Sequence, residues 1–138
     1  DGPMRQSLEK QITSIGGDKI KYLGYQSEVA RYLSAGDVFV LPSSIEGFPL
    51  SILEAMAMKL AVIASDVGAV SDVIENGQDG FVVKPGSVDD IKNVILKLQK
   101  DRKLLEKIKL AARQKLEKKY SNAVLRTNYM KLYKEALK

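Results

Sequence analysis

The sequence predicts an α/β fold, a parallel sheet with flanking helices, and three observations carry that prediction. Short runs rich in Val, Ile, Ala and Phe at 37–41, 61–65 and 80–84 have the continuous hydrophobicity of strands buried on both faces. Each run ends in turn-forming residues, and a segment of helical period follows. Strands that alternate with helices return in the same direction, which makes the sheet parallel. At 138 residues, 45% hydrophobic and 28% charged, the chain has the size and composition of one globular domain.

The first predicted element is a helix over 4–15, with Leu8, Ile12 and Ile15 on one face and Gly16-Gly17 as its stop. Lys19 to Leu23 alternates apolar Ile20 and Tyr22 with Lys19 and Lys21, the pattern of a strand with one exposed side. Ser27 is the expected N-cap of a short helix to about Ser34, and Ala35-Gly36 ends it. The strand 37–41 is closed by Pro42. After the loop 43–48, Pro49 fits the first turn of a helix, where its missing N–H costs nothing. Leu50, Leu53, Met56, Ala57 and Leu60 are the expected apolar face of that helix.

A second buried strand, 61–65, leads through Gly68 into a short helix over 70–75. Asn76-Gly77 and Asp79-Gly80 are turn dipeptides before the strand 80–84, which Pro85-Gly86 closes. Ser87 begins a helix with Asp89 and Asp90 in its first turn, where carboxylates complement the dipole, and Ile91, Val94, Ile95 and Leu98 form its apolar face. The next helix, 101–119, sets Leu104, Leu105, Ile108, Ala112 and Leu116 against Lys and Arg. Ser121 is the expected N-cap of a final helix over 122–137, whose Tyr129 and Tyr133 are expected in the core or against another domain. The sequence shows no internal repeat or low-complexity segment.

Composition removes several functional classes. With no Cys and no His, the chain has no structural zinc site, no Cys nucleophile and no Ser-His-Asp triad of its own, and no metal ligands are assigned. No apolar run approaches the roughly 20 residues that span a bilayer. Residues 1–91 carry 7 Lys/Arg against 13 Asp/Glu, net −6, whereas residues 92–138 carry 15 against 4, net +11. The basic third reads as solvated helix faces or as a surface for an anionic membrane or an acidic partner. Nucleic acid is not expected, because the basic residues are not interleaved with aromatics and no binding motif is present.

Chemistry concentrates at 43–54. A helix that starts just past the C-terminal end of a parallel strand points unpaired N–H groups and its positive dipole end into the crevice where such sheets bind ligands, so the position favours an anion such as a diphosphate. Glu46 lies in the loop, and Glu54 follows eight residues later in the helix. As ionised carboxylates both are acceptors only, suited to the hydroxyls of a sugar or a ribose rather than to phosphate.

Glu46-Gly-Phe-Pro-Leu-Ser-Ile-Leu-Glu54-Ala-Met-Ala resembles the Glu-x7-Glu motif of retaining, nucleotide-sugar-dependent glycosyltransferases of the GT-B fold, family 4 in particular. The resemblance runs from Asp1 to about Tyr133 and implies an incomplete C-terminal half of a GT-B fold, Rossmann-like, with residues 1–138 as the nucleotide-sugar-binding domain. By resemblance, Glu54 takes the donor's ribose hydroxyls, Glu46 contacts the transferred sugar at the catalytic centre, and the backbone of Gly47, Phe48, Pro49 and Leu50 holds the sugar and diphosphate. Glu46 is not assigned as nucleophile or general acid. Tyr25 lies in the loop that the family places near the base, where it would stack. In place of the family's Gly-Gly-x-Pro-Glu, this chain has Gly68-Ala69-Val70-Ser71-Asp72, and only the first Gly is kept.

The opening Asp1-Gly2-Pro3 resembles the family's Gly-Asp-Gly-Pro, which directly follows its second strand. In the strand order 3-2-1-4-5-6 the four expected strands are then the third to sixth. The first two strands, the Arg and Lys that grip the diphosphate, and the N-terminal domain that holds a glycan, lipid or small-molecule acceptor are expected outside this chain. Strand 19–23 is therefore expected to pair with other chain or directly beside 37–41.

The implied activity is transfer of a sugar from a nucleoside diphosphate sugar to a hydroxyl, with retention, no metal and no cofactor, in glycan, polysaccharide or glycolipid synthesis. The isolated chain is expected to be inactive, and its expected location is the cytoplasm or the inner face of the cell membrane. Two alternatives stay open: a nucleotide or nucleotide-sugar binding module without transfer activity, and a GT-B-like sugar-nucleotide epimerase.

Overall fold

A computed structural model describes residues 2–137, so Asp1 of the Asp1-Gly2-Pro3 motif lies outside the described residues. The element order is α1 (Arg5–Ser14), a 3-10 turn (Gly17–Lys19), α2 (Val29–Leu33), β1 (Val38–Leu41), α3 (Leu50–Ala57), β2 (Ala61–Ser65), α4 (Val70–Val73), β3 (Phe81–Val83), α5 (Val88–Lys100), α6 (Arg102–Lys119) and α7 (Asn122–Ala136). The strands form one parallel sheet in the order β1-β2-β3, with Val38 opposite Ala61 and Ile63 opposite Phe81.

All five residues of β2 are buried, as a strand between two partners and two helical layers must be. Its side chains alternate between faces. Val62 and Ala64 pack with Ile52, Ala55 and Met56 of α3, Val70 and Val73 of α4 and Ala112 of α6. Ala61 and Ile63 pack with Phe81, Val83, Leu98 of α5, and Leu105 and Ile108 of α6. Helix α6 thus contributes to both layers, and its Arg113 donates to the carbonyl of Ala57 at the C-terminus of α3. Gly16, at φ 97°, ends α1 in the left-handed region that glycine adopts without a steric penalty. No helix is long and apolar enough to cross a membrane, among the described residues.

Four expectations are corrected. Residues 19–23 are not a strand: among the described residues no strand lies beside them, and Ile20, Tyr22 and Leu23 stay 37–49% exposed. An extended segment becomes a strand only where a neighbouring backbone takes its N–H and C=O groups, and the sheet begins at β1. Ser27 does not cap α2; Glu28 holds the N-cap position without a side-chain bond, while Gln26 pins the turn by donating to the Leu23 carbonyl and accepting from the Tyr32 hydroxyl. In α3 the buried face is Ile52, Ala55 and Met56, continued by Leu60, whereas Leu50 is 65% exposed and Leu53 half-buried. A short helix between two layers turns whichever face the sheet meets inward, and an almost wholly apolar sequence does not single that face out. Finally, Tyr129 and Tyr133 are not core residues: they are 54% and 64% exposed, because α7 packs no residue into the core, which leaves packing against another domain as the expectation for them.

At the start of β1, Asp37 accepts from Lys109 of α6 at 3.1 Å and lies 3.6 Å from Arg102. The hydrogen bond and charge of Lys109 hold the Asp37 carboxyl below its ordinary value. For Lys109, burial works in the opposite sense, but the bonds to Asp37 and Glu106 leave its pKa raised.

Ile52→Ala is expected to cost about 2–5 kcal/mol in urea unfolding, and Leu53→Ala clearly less, because only Ile52 is fully enclosed. Since the native Asp37 pKa is lowered, its stabilisation is present above its unfolded value of about 4 and is lost as pH falls through the native value. Half-exposed as it is, the cluster is worth only about 0.2–1 kcal/mol. Asp37→Asn should therefore lower stability by that amount at pH 7, with the difference from wild type vanishing in strongly acidic buffer.

Candidate functional site

The three strands end at Leu41, Ser65 and Val83, so the segments that follow them gather at the C-terminal edge of the sheet. After β1 the chain passes through Pro42 and the loop 43–48 to Pro49, which is buried and stands at the N-cap of α3 with φ −80° and ψ 85°. No side chain caps this helix. Leu50 N–H bonds the Phe48 carbonyl and Ile52 N–H the Pro49 carbonyl, while the N–H groups of Gly47, Phe48 and Ser51 have no backbone partner among the described residues. Free N–H donors at the positive end of a helix dipole are an arrangement that binds an anion.

The turn after β2 holds this loop in place. Gly68 adopts φ +55°, and a Cβ built on it would lie 2.1 Å from the Glu46 carbonyl oxygen and 2.8 Å from that of Gly47. Ala69 N–H donates to the Gly47 carbonyl at 3.1 Å, and Asp66 N–H donates to the Val83 carbonyl at 2.8 Å. The backbone of Glu46 and Gly47 therefore rests directly on the 66–70 turn, which is itself tied to β3. Only a residue without a side chain fits that contact.

Glu46 is half-buried, and its Oε1 accepts from the Ser43 hydroxyl at 2.7 Å. Glu54 is exposed and its side chain has no hydrogen bond or ion pair among the described residues, so its carboxylate is available to a ligand. It lines a cleft of about 340 Å³ between α2 and α3, walled by Ser27, Glu28, Val29, Leu33, Ala57 and Met58 among others. Neither Glu46 nor Tyr25 lines that cleft. Tyr25 is 82% exposed. Phe48 leans on Tyr120 at the end of α6, ring centres 6.4 Å apart, and Leu50 points to solvent.

The structure thus puts Glu46, Gly47, Phe48, Pro49, Leu50 and Glu54 on one loop-and-helix unit, and leaves Tyr25 on a separate loop. Sequence reasoning missed the Ser43–Glu46 bond, the Gly68 contact and the α2 wall of the cleft. A Ser three residues before a loop Glu was the one local signal available. At the departures from the family's second loop, Ser71 bonds Asp66, and the Asp72 carbonyl accepts from the Tyr120 hydroxyl.

A profile of the family described as "Glycosyl transferases group 1" matches residues 1–115. An N-acetylgalactosaminyltransferase of Campylobacter jejuni, whose name gives N,N'-diacetylbacillosaminyl-diphospho-undecaprenol as the molecule it modifies, is 38% identical over 100% of this chain and 35% of its own length. The crystal structure of the C-terminal domain of a group 1 family glycosyl transferase from Francisella tularensis is 33% identical, with a TM-score of 0.76 over 86% of this chain and 63% of that one. An Anabaena protein crystallised with UDP shares the fold, with a TM-score of 0.89 at 23% identity over 94% of this chain and 36% of that one. The chain spans about a quarter to a third of the length of the first curated relatives it matches.

Gly68→Ala is expected to destabilise the protein by about 1–3 kcal/mol or more, because the new methyl meets the Glu46 carbonyl and the left-handed backbone is strained. Urea unfolding measures the cost. Gly77→Ala, also at positive φ but with open space around it, serves as the control for backbone strain alone.

Proposed function

The chain belongs to the group 1 glycosyl transferases, and from that premise we propose that it is the donor-binding part of a retaining glycosyltransferase. Relatives in this family are named for the transfer of sugars, one of them in capsular polysaccharide biosynthesis. The observation that carries the proposal is the unspent chemistry at the sheet edge. An uncapped helix start with free N–H groups at 47, 48 and 51 is flanked by Glu46 and by an unpartnered Glu54.

A nucleoside diphosphate sugar supplies what those groups require. Its diphosphate takes the N–H groups of 47–51, its ribose hydroxyls donate to Glu54, and the hydroxyls of its sugar donate to Glu46. In transfer, the bond from the anomeric carbon to the phosphate oxygen breaks, and its electron pair leaves with the diphosphate. The acceptor oxygen bonds the same carbon on the face that the diphosphate leaves, as retention requires, and its proton passes to the departing phosphate oxygen. Charge grows on the diphosphate as the bond breaks, and the helix dipole and N–H groups stabilise it there without a metal ion. Glu46 positions the sugar and is not the nucleophile. Tyr25 is assigned to the base only as a stacking surface.

The acceptor is assigned to the part of the relatives that this chain does not span. The basic residues of 92–138 are assigned to an anionic membrane surface, a reading supported by the undecaprenol-linked molecule in the name of the Campylobacter relative.

Calorimetric titration with UDP, GDP and ADP tests the donor site. One of the three is expected to bind wild type and to bind Glu54→Ala at least about tenfold more weakly, the worth of a lost charge-assisted hydrogen bond. Unchanged binding by the variant would remove Glu54 from the site, and no binding of any nucleotide would overturn the donor reading.

A further inference from the structure

We infer that Ser43 is a positioning residue for the transferred sugar, acting through Glu46; the inference rests on the donor reading above. The backbone of Glu46 is already held from outside its loop, by the contact with Gly68 and by the bond from Ala69 N–H to the Gly47 carbonyl. What stays free is the side chain, with three torsions and no ion pair among the described residues. The Ser43 hydroxyl removes that freedom. It follows Pro42 at the end of β1, is half-buried, and spends its only proton on Oε1 at 2.7 Å, the length of a charge-assisted O–H···O bond. A carboxylate has about four acceptor sites, so this bond fixes its plane and leaves Oε2 for a ligand hydroxyl. A rigid acceptor loses less on binding than one that must be ordered by the ligand. Ser43 therefore does not touch the donor; it decides where the Glu46 oxygens stand.

The alternative is that the bond merely closes the loop. The two differ in which part of the donor they affect. A positioning role concerns the sugar alone, because the diphosphate is held by backbone N–H groups and the ribose by Glu54. The whole chain is titrated with UDP and UDP-glucose, with GDP and GDP-mannose, and with ADP and ADP-glucose, as wild type, Ser43→Ala, Ser43→Thr, Glu46→Ala and the double variant Ser43→Ala/Glu46→Ala.

In the pair that binds, Ser43→Ala should weaken the nucleotide sugar about tenfold and the free nucleotide by less than about twofold. Ser43→Thr should restore the loss, since it keeps the hydroxyl. The double variant should lose no more than Glu46→Ala alone, since the two residues act as one unit. Equal losses for nucleotide and nucleotide sugar, no loss at all, or additive losses in the double variant would overturn the inference while leaving the donor site standing. If wild type binds none of the six ligands, the donor reading falls and this inference with it.

Discussion

The complete burial of β2 is the constraint on which the rest of the structure depends. A strand with no exposed residue must give both its backbone edges to neighbours and both its faces to helices. That requirement fixes β1 and β3 in register on either side, α3 and α4 over one face, and α5 with part of α6 over the other. Because all three strands run the same way, their C-terminal loops have to meet at one edge. The candidate site is a consequence of the core rather than an addition to it.

At that edge the fold trades side-chain volume for backbone proximity. Gly68 lets the turn after β2 press against Glu46 and Gly47, and the Ala69 N–H ties the loop to that turn. Several polar groups in the same place stay unspent: the N–H groups of 47, 48 and 51, and the Glu54 carboxylate. Two carboxylates away from this edge are committed to cations. Asp79 is buried against Lys115 at 2.7 Å, and Asp37 is clustered with Lys109 and Arg102. Unspent donors and acceptors on a rigid surface are what distinguish a binding site from a well-satisfied scaffold.

Much of this was legible from residues alone. The strands 37–41, 61–65 and 80–84 were visible because burial on both faces demands an unbroken apolar run, and the helices after 87, 101 and 121 because of the apolar stripes of the first two and the Ser residues that start the first and third. The placement of Glu46 in the loop and of Glu54 in the helix was legible because the strand, loop and helix patterns follow one another without a break. The segment 19–23 was not, since its alternation is a real strand pattern but pairing depends on backbone from elsewhere. Tyr129 and Tyr133 misled for a related reason: the stripe on α7 is apolar, yet among the described residues no element covers it.

Sequence by itself determined the element order from residue 37 onward, the parallel α/β class, the position of the loop at 43–48 and the residue types able to bind hydroxyls and a diphosphate. These follow from local periodicity and from the chemistry of single side chains, which require no knowledge of neighbours in space. Tertiary structure alone decided which face of α3 is buried, that Gly68 supports Glu46, that Ser43 holds its carboxylate and that Glu54 opens onto a cleft shared with α2. Each of these depends on two segments meeting at contact distance or on a loop folding back on itself. Such meetings are set by how the layers pack around β2, and that packing is a property of the whole chain.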